Sequence, residues 1–158
     1  MDETSKKKAL QLFPSPVFVV GCCDGETVHA FGGSWLGQCS FNPPIVWIAV
    51  GKETRPQAIL DRGGVFTISV LRAEQKKVAT TFFKTPPPEN GKFGEIPYRL
   101  SPCGSPILED CLAWLECKVV SKAEPGDHVL YYGEVVDCEF FEEAPALTTV
   151  TTGWKYGG

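Results

Sequence analysis

Lys52, Thr54 and Arg55 stand together immediately ahead of a segment with helical character. A fixed positive charge, a hydroxyl and the free amides of a helix start suit a phosphate. Some twenty residues earlier, Trp35 offers an aromatic face, and Ser34, Gln38 and Ser40 offer hydrogen bonds. Taken together these residues suggest a ligand that is aromatic at one end and phosphorylated at the other. The plainer alternative is that Thr54 caps a helix and Lys52 is a surface lysine. Capped helices are common enough that the residue pattern alone favours this second reading. There is no Walker A loop and no G-x-G-x-x-G fingerprint, which excludes a P-loop or a Rossmann site.

The seven cysteines, Cys22, Cys23, Cys39, Cys103, Cys111, Cys117 and Cys138, are odd in number and contain no C-x-x-C pair. That pattern supports neither a disulfide framework nor a metal or cluster site. Adjacent Cys22 and Cys23 point to opposite faces of an extended chain and cannot share one ion. Most of the thiols are therefore read as small buried apolar groups in a reducing compartment.

A net charge of -4 argues against nucleic acid or an anionic membrane as partner, since Lys6-Lys7-Lys8 is the only basic cluster. Apolar runs such as 17–23 and 45–51 are strand-sized and too short to span a bilayer. No basic leader with an apolar core and a small-residue cleavage site opens the chain, so a cytoplasmic location is expected. With 158 residues, 43% of them hydrophobic, one domain with a real core is expected over 1–158. Its body covers about 16–141, and a tail, 142–158, contacts the site or a partner.

The elements that must position these residues follow from local signals. A weak helix over 6–13 stops at Pro14 and Pro16, and strands follow at 17–23 and 28–31, joined by an Asp24-Gly25 turn. Residues 32–44 read as irregular, with Gly32, Gly33 and Gly37 allowing bends and Pro43-Pro44 stopping pairing. A buried strand runs over 45–50. Thr54 then caps a helix over 55–62 with Pro56 in its first turn, and Gly63-Gly64 ends it. A strand at 65–71 and a helix at 73–83 lead into a long loop, 84–106. Two long strands, 112–123 and 129–141, flank the hairpin turn Glu124-Pro125-Gly126-Asp127. Six or so strands with two or three helices predict a β-barrel with peripheral helices.

The run Ser34-Trp35-Leu36-Gly37-Gln38-Cys39-Ser40-Phe41-Asn42-Pro43-Pro44, with the strand after it and Gly51-Lys52-Glu53-Thr54, resembles the flavin reductase-like FMN-binding split-barrel family. That family includes flavoredoxin and the flavin reductase module of flavodiiron proteins. Phe66 to Leu71, Ser105-Pro106-Ile107-Leu108, Cys111 to Val120 and Gly126-Asp127-His128 continue the likeness in the same order. It covers the chain from about Pro16 to Phe141.

The resemblance implies a mainly β fold with peripheral helices, a six-stranded antiparallel Greek-key split barrel, usually a homodimer. It implies FMN in preference to FAD, with NAD(P)H as a possible co-substrate. By the same likeness Ser34, Trp35, Leu36, Gln38, Cys39 and Ser40 run along the flavin ring, and Gly51, Lys52, Thr54 and Arg55 hold the phosphate. Phe83-Lys84, or else Lys92, adds a further cation; the sequence does not choose between Lys84 and Lys92. His29 and His128 face the ring, and Trp154 covers it. Trp35 and His128 shape access, and no side chain is obliged to act as acid or base. The implied activity is an NAD(P)H-dependent flavin reductase. The alternative is a flavoredoxin-like carrier that exchanges electrons with a redox protein partner. The tail 151–158 departs from the basic and aromatic endings of classical flavin reductases.

Overall fold

A computed structural model describes residues 1–158. Its strands are β1 (Phe18–Cys23), β2 (Val28–Gly33), β3 (Leu36–Phe41), β4 (Pro44–Gly51), β5 (Val65–Val70), β6 (Pro88–Glu89), β7 (Lys92–Phe93), β8 (Ile96–Leu100), β9 (Pro106–Leu108), β10 (Ala113–Ala123) and β11 (His128–Phe140). Helices are α1 (Glu3–Leu10), α2 (Arg55–Gly63), α3 (Lys76–Thr81) and α4 (Thr149–Thr152), with a 3-10 turn at Phe82–Lys84. The main sheet is antiparallel throughout, in the order β2-β1-β5-β10-β11-β4-β3. Three local hairpins, β1–β2, β3–β4 and β10–β11, are joined by the non-local pairs β1–β5, β5–β10 and β4–β11.

The inward faces follow strict alternation. Phe18, Val20 and Cys22 of β1 meet Val46, Ile48 and Val50 of β4, Phe66 and Ile68 of β5, and Val129 and Tyr131 of β11. Helix α2 adds Ile59 and Leu60, each 1% exposed and each contributing about 2 kcal/mol through burial. The opposite face of β1 is covered as well, by a second cluster containing Leu71, Phe82, Phe93, Leu108 and Leu147. All six residues of β1 are therefore buried.

Two expectations need correction. The main sheet has seven strands, because the stretch read as irregular forms β3 against β4. The 84–106 segment is not loop: it folds into the smaller sheet β6-β7-β8-β9. Two-residue strands carry no periodicity to read. They are held by Phe93, 0% exposed, whose ring stacks on Tyr98 at 4.5 Å and meets Phe82 edge-on at 5.6 Å. The small sheet is latched to β5, where Thr67 Oγ1 donates to Pro106 O at 2.5 Å and Ser69 Oγ accepts from Leu108 N at 3.1 Å.

The unpaired edges of the main sheet, β2 and β3, are consecutive in sequence and joined only through Ser34-Trp35. A cleft opens where they diverge. The tail is stitched across it: Val17 N donates to Leu147 O, Leu147 N to Leu71 O and Thr149 N to Ser15 O, at 2.8–2.9 Å. A capping box between Thr148 and Thr151 starts α4, and Gly153, at φ 71°, turns the chain back toward the cleft. No helix is long and apolar enough to cross a membrane.

Candidate functional site

The cleft encloses about 810 Å³, within the roughly 300–1,000 Å³ usual for small-molecule sites. One wall comes from the end of β2 and the Ser34-Trp35 corner. A second comes from the end of β4 with the start of α2, and the tail closes the third side. Of the residues singled out from sequence, His29, Ser34, Trp35, Gly51, Thr54, Phe83, His128 and Trp154 line it.

At one end, Trp35 lies between two rings, with His128 at 4.8 Å and Tyr156 edge-on at 5.0 Å. His128 opens β11 directly opposite Gly51. Its Nδ1 is 2.7 Å from Asp127 Oδ1, which leaves Nε2 free of protein partners. That hydrogen bond from His128, then the charges of His128 and Lys52, hold the Asp127 carboxyl below its ordinary range. Farther along, Phe83 meets Trp154 edge-on at 5.1 Å, and Lys76 Nζ lies 5.1 Å from the Trp154 ring. The Phe83 ring packs on Gly32, where a Cβ would approach it to 3.0 Å. A side chain at 32 would push into the aromatic wall.

The third region is the α2 N-terminus. Thr54 Oγ1 donates to Gly51 O at 2.7 Å and accepts from Gln57 N at 3.4 Å, so the hydroxyl both caps the helix and closes the turn. Glu53, at φ 60°, takes the left-handed conformation this turn needs, and its amide donates to Gln57 Oε1 at 2.6 Å. Nearby, the His29 side chain makes no hydrogen bond within the protein. Burial, then the positive charge of Arg55, push its pKa down to about 4. The imidazole is neutral at pH 7 and its nitrogens remain available to a ligand.

Other sequence-predicted residues stand outside the cleft wall. Leu36 turns into the core, while Gln38 and Cys39 are exposed on edge strand β3. Gln38 Nε2 donates to Ser40 O at 3.1 Å and Cys39 Sγ lies 3.6 Å from Ile45 O. The amide of Lys52 donates to Asp127 O at 3.0 Å and its charge acts on the Asp127 carboxyl. Arg55 is exposed beside His29. Lys84 is exposed next to the cleft-lining Phe83, whereas Lys92 belongs to β7 of the small sheet. All seven cysteines are free, and burial raises the thiols of Cys22 and Cys117 to about 12.

Sequence reading passed over Ala49, Pro56, Thr80, Lys155 and Tyr156, which also line the cleft. Tyr156 had one available signal, its place two residues after Trp154. The lining also contains no Asp or Glu, in a chain with 19 of them; Lys155 is its one permanent charge. An aromatic slot with a few free polar groups, no carboxylate and a helix start at one end fits a planar heteroaromatic anion. A flavin phosphate meets that description.

A family model described as flavin reductase like domain matches residues 10–155. The chain is 34% identical over 154 residues to a flavin reductase of Pseudomonas putida, an alignment covering 96% of this chain and 87% of that protein. It is 31% identical over 149 residues to diflavin flavoprotein A 1 of Synechocystis sp., covering 94% of this chain. This chain spans about a quarter of the length of the first curated relatives it matches. Among solved structures, the flavin reductase component BorF of a bacterial two-component tryptophan halogenase superposes with a TM-score of 0.84. The identity is 26%, over 99% of this chain and 98% of that one. The NADH:FAD oxidoreductase SgcE6 of Streptomyces globisporus gives a TM-score of 0.78 at 30% identity, over 86% and 81%.

Proposed function

Since this chain belongs to the flavin reductase like family, we propose that it is an FMN-binding NAD(P)H:flavin oxidoreductase with the ring held between Trp35 and Phe83. The observation that carries this reading is the acid-free aromatic cleft ending at the α2 N-terminus. A bound flavin supplies two-electron transfer from a reduced nicotinamide to free flavin or another acceptor. Thr54, the first amides of α2 and the Arg55 charge hold the phosphate, with His29 donating from the neighbouring strand and Lys84 at the rim. Trp35 and Phe83 fix the ring plane, and Ser34 offers a hydrogen bond at the corner. His128, held by Asp127, presents Nε2 to the open side of the ring, where Tyr156 and Trp154 limit water. FMN is preferred to FAD because the phosphate end of the cleft closes on α2.

The reading includes a single flavin-binding domain, a homodimer and a cytoplasmic location. The dimer is supported by exposed Phe41, Val136 and Phe140 near one end of the sheet, the location by seven free thiols.

The test is the absorption spectrum of purified protein titrated with FMN, before and after anaerobic NADH or NADPH. Expected are flavin binding in the micromolar range or tighter and bleaching of the flavin bands by nicotinamide. Protein that binds no flavin at micromolar concentration refutes the reading. Bleaching by a ferredoxin-type donor but by neither nicotinamide moves it to a flavoredoxin-like carrier.

A further inference from the structure

The backbone hydrogen bonds that stitch the tail to the body end at Gly153, whose amide donates to Thr149 O at 3.0 Å. Residues 154–158 make no backbone–backbone hydrogen bond. They form a strap held by aromatic edges, Trp154 against Phe83 at 5.1 Å and Tyr156 against Trp35 at 5.0 Å. Its one side-chain tie comes from α1, where Gln11 Nε2 donates to Gly157 O at 3.2 Å. Gly157 itself lies against Trp35, since a Cβ there would come within 3.8 Å of the indole. Gly153, at φ 71° with open space where a Cβ would stand, is the pivot. Helix α1 buries no residue. Across residues 1–13, the bond from Gln11 is the one hydrogen bond that reaches beyond the segment itself. A helix with nothing in the core thus spends its single polar contact on the strap.

We propose that residues 154–158 are a gate, in which Tyr156 holds the place over the flavin that an incoming nicotinamide ring takes, and Gln11 is the latch. The inference rests on the cleft being the flavin site. Tyr156 is 52% exposed and stands on the open side of that site, so it leaves without disturbing the core. One hydrogen bond and a few aromatic edges hold the strap shut only weakly, and a segment with so few ties opens locally. Neither residue touches the reacting atoms; both act by deciding which ring occupies the slot. A nicotinamide binds the open fraction alone, so its apparent affinity is reduced by that fraction. The closed strap retains FMN. Loosening the latch therefore helps one ligand and harms the other, whereas a general loss of structure harms both.

The experiment compares wild type with Tyr156→Ala, Tyr156→Phe and Gln11→Ala. Gln11→Ala leaves every cleft residue in place and tests the latch alone. KM for NADH and for NADPH is measured at saturating FMN, and FMN release is followed by the recovery of flavin fluorescence on dilution. In Tyr156→Ala and in Gln11→Ala, KM for the nicotinamide is expected to fall about threefold or more while FMN release quickens by a similar factor. Tyr156→Phe keeps the ring edge on Trp35 and should behave as wild type. In flavin-free protein, acrylamide should quench indole fluorescence more readily in Gln11→Ala, because the strap uncovers Trp35. Unmoved KM and release rate in both alanine variants, or a KM that rises as FMN is lost, overturns the gate. So does a protein whose bound FMN neither nicotinamide reduces, since no ring then competes with Tyr156. Failure of the gate in a protein that binds and reduces FMN leaves the flavin site standing, whereas a wild type that binds no flavin removes the site and the gate with it.

Discussion

His29 shows how one side chain reports its surroundings. Its pKa lies near 4 because burial penalises the imidazolium, and Arg55 adds to that penalty. An unfolded histidine titrates near 6.5. Between about pH 6.5 and 4 the unfolded chain therefore binds the extra proton, and stability rises with pH through that window. The contribution is complete above 6.5 and is lost as pH falls toward 4. Because the ring is only partly buried, solvent screening limits the effect to about 1–2 kcal/mol. Urea midpoints measured from pH 7 to pH 4 should fall, and His29→Asn should flatten that part of the curve. A variant with the wild-type slope would show that other groups carry the acid dependence. Bound phosphate acts in the opposite sense, favouring the imidazolium, so FMN should hold the midpoint up as the pH is lowered.

At the scale of elements, what could be read depended on whether a residue carries its own conformational preference. Thr54, Pro56 and Gly64 do, and α2 begins and ends where they require, with Gly64 at φ 66° closing the helix. Thr54→Ala should cost about 1 kcal/mol in the urea midpoint. With saturating FMN the loss should be larger, because the same hydroxyl lies in the cleft. Equal losses with and without FMN would reduce Thr54 to a cap. Strand β3 was not legible, since Gly37, Gln38 and Ser40 have little strand propensity of their own. The strand exists because β4 pairs with it and because Gly37 leaves room for the Trp47 indole, which a Cβ would approach to 2.8 Å. Contact between the two sheets was equally hidden. Gly21 lies against the Pro106 carbonyl, and a Cβ there would also come within 2.5 Å of Thr67 Oγ1. Gly21→Ala should destabilise the protein by about 1–3 kcal/mol, seen as a lower urea midpoint at unchanged m-value. A neutral effect would mean that the two sheets separate readily.

At the scale of the whole molecule, the tail and the cleft depend on contacts between residues more than a hundred positions apart, such as Ser15 with Thr149 and Gln11 with Gly157. No local pattern in the sequence encodes them, which is why Lys155 escaped notice while Trp35 and Thr54 did not. The same scale governs association. Phe41 is 91% exposed and Phe140 71%, and the exposed Val136 belongs to β11, next to β4 and so close to β3. Apolar groups gathered near one end of a sheet, in a chain with a formal charge of only -4, favour pairing with a second copy. Sedimentation at tens of micromolar should therefore give twice the chain mass. Phe41→Glu should shift the distribution toward the single chain without altering the circular dichroism spectrum, because the side chain supports no core contact. Cleft and patch lie on different parts of the sheet, so FMN affinity in Phe41→Glu separates two arrangements. Unchanged affinity means that each chain carries a complete site, while a loss in step with dissociation means that the second copy completes it. A wild-type protein that sediments as a single chain at these concentrations removes the homodimer from the proposed function and leaves the cleft intact.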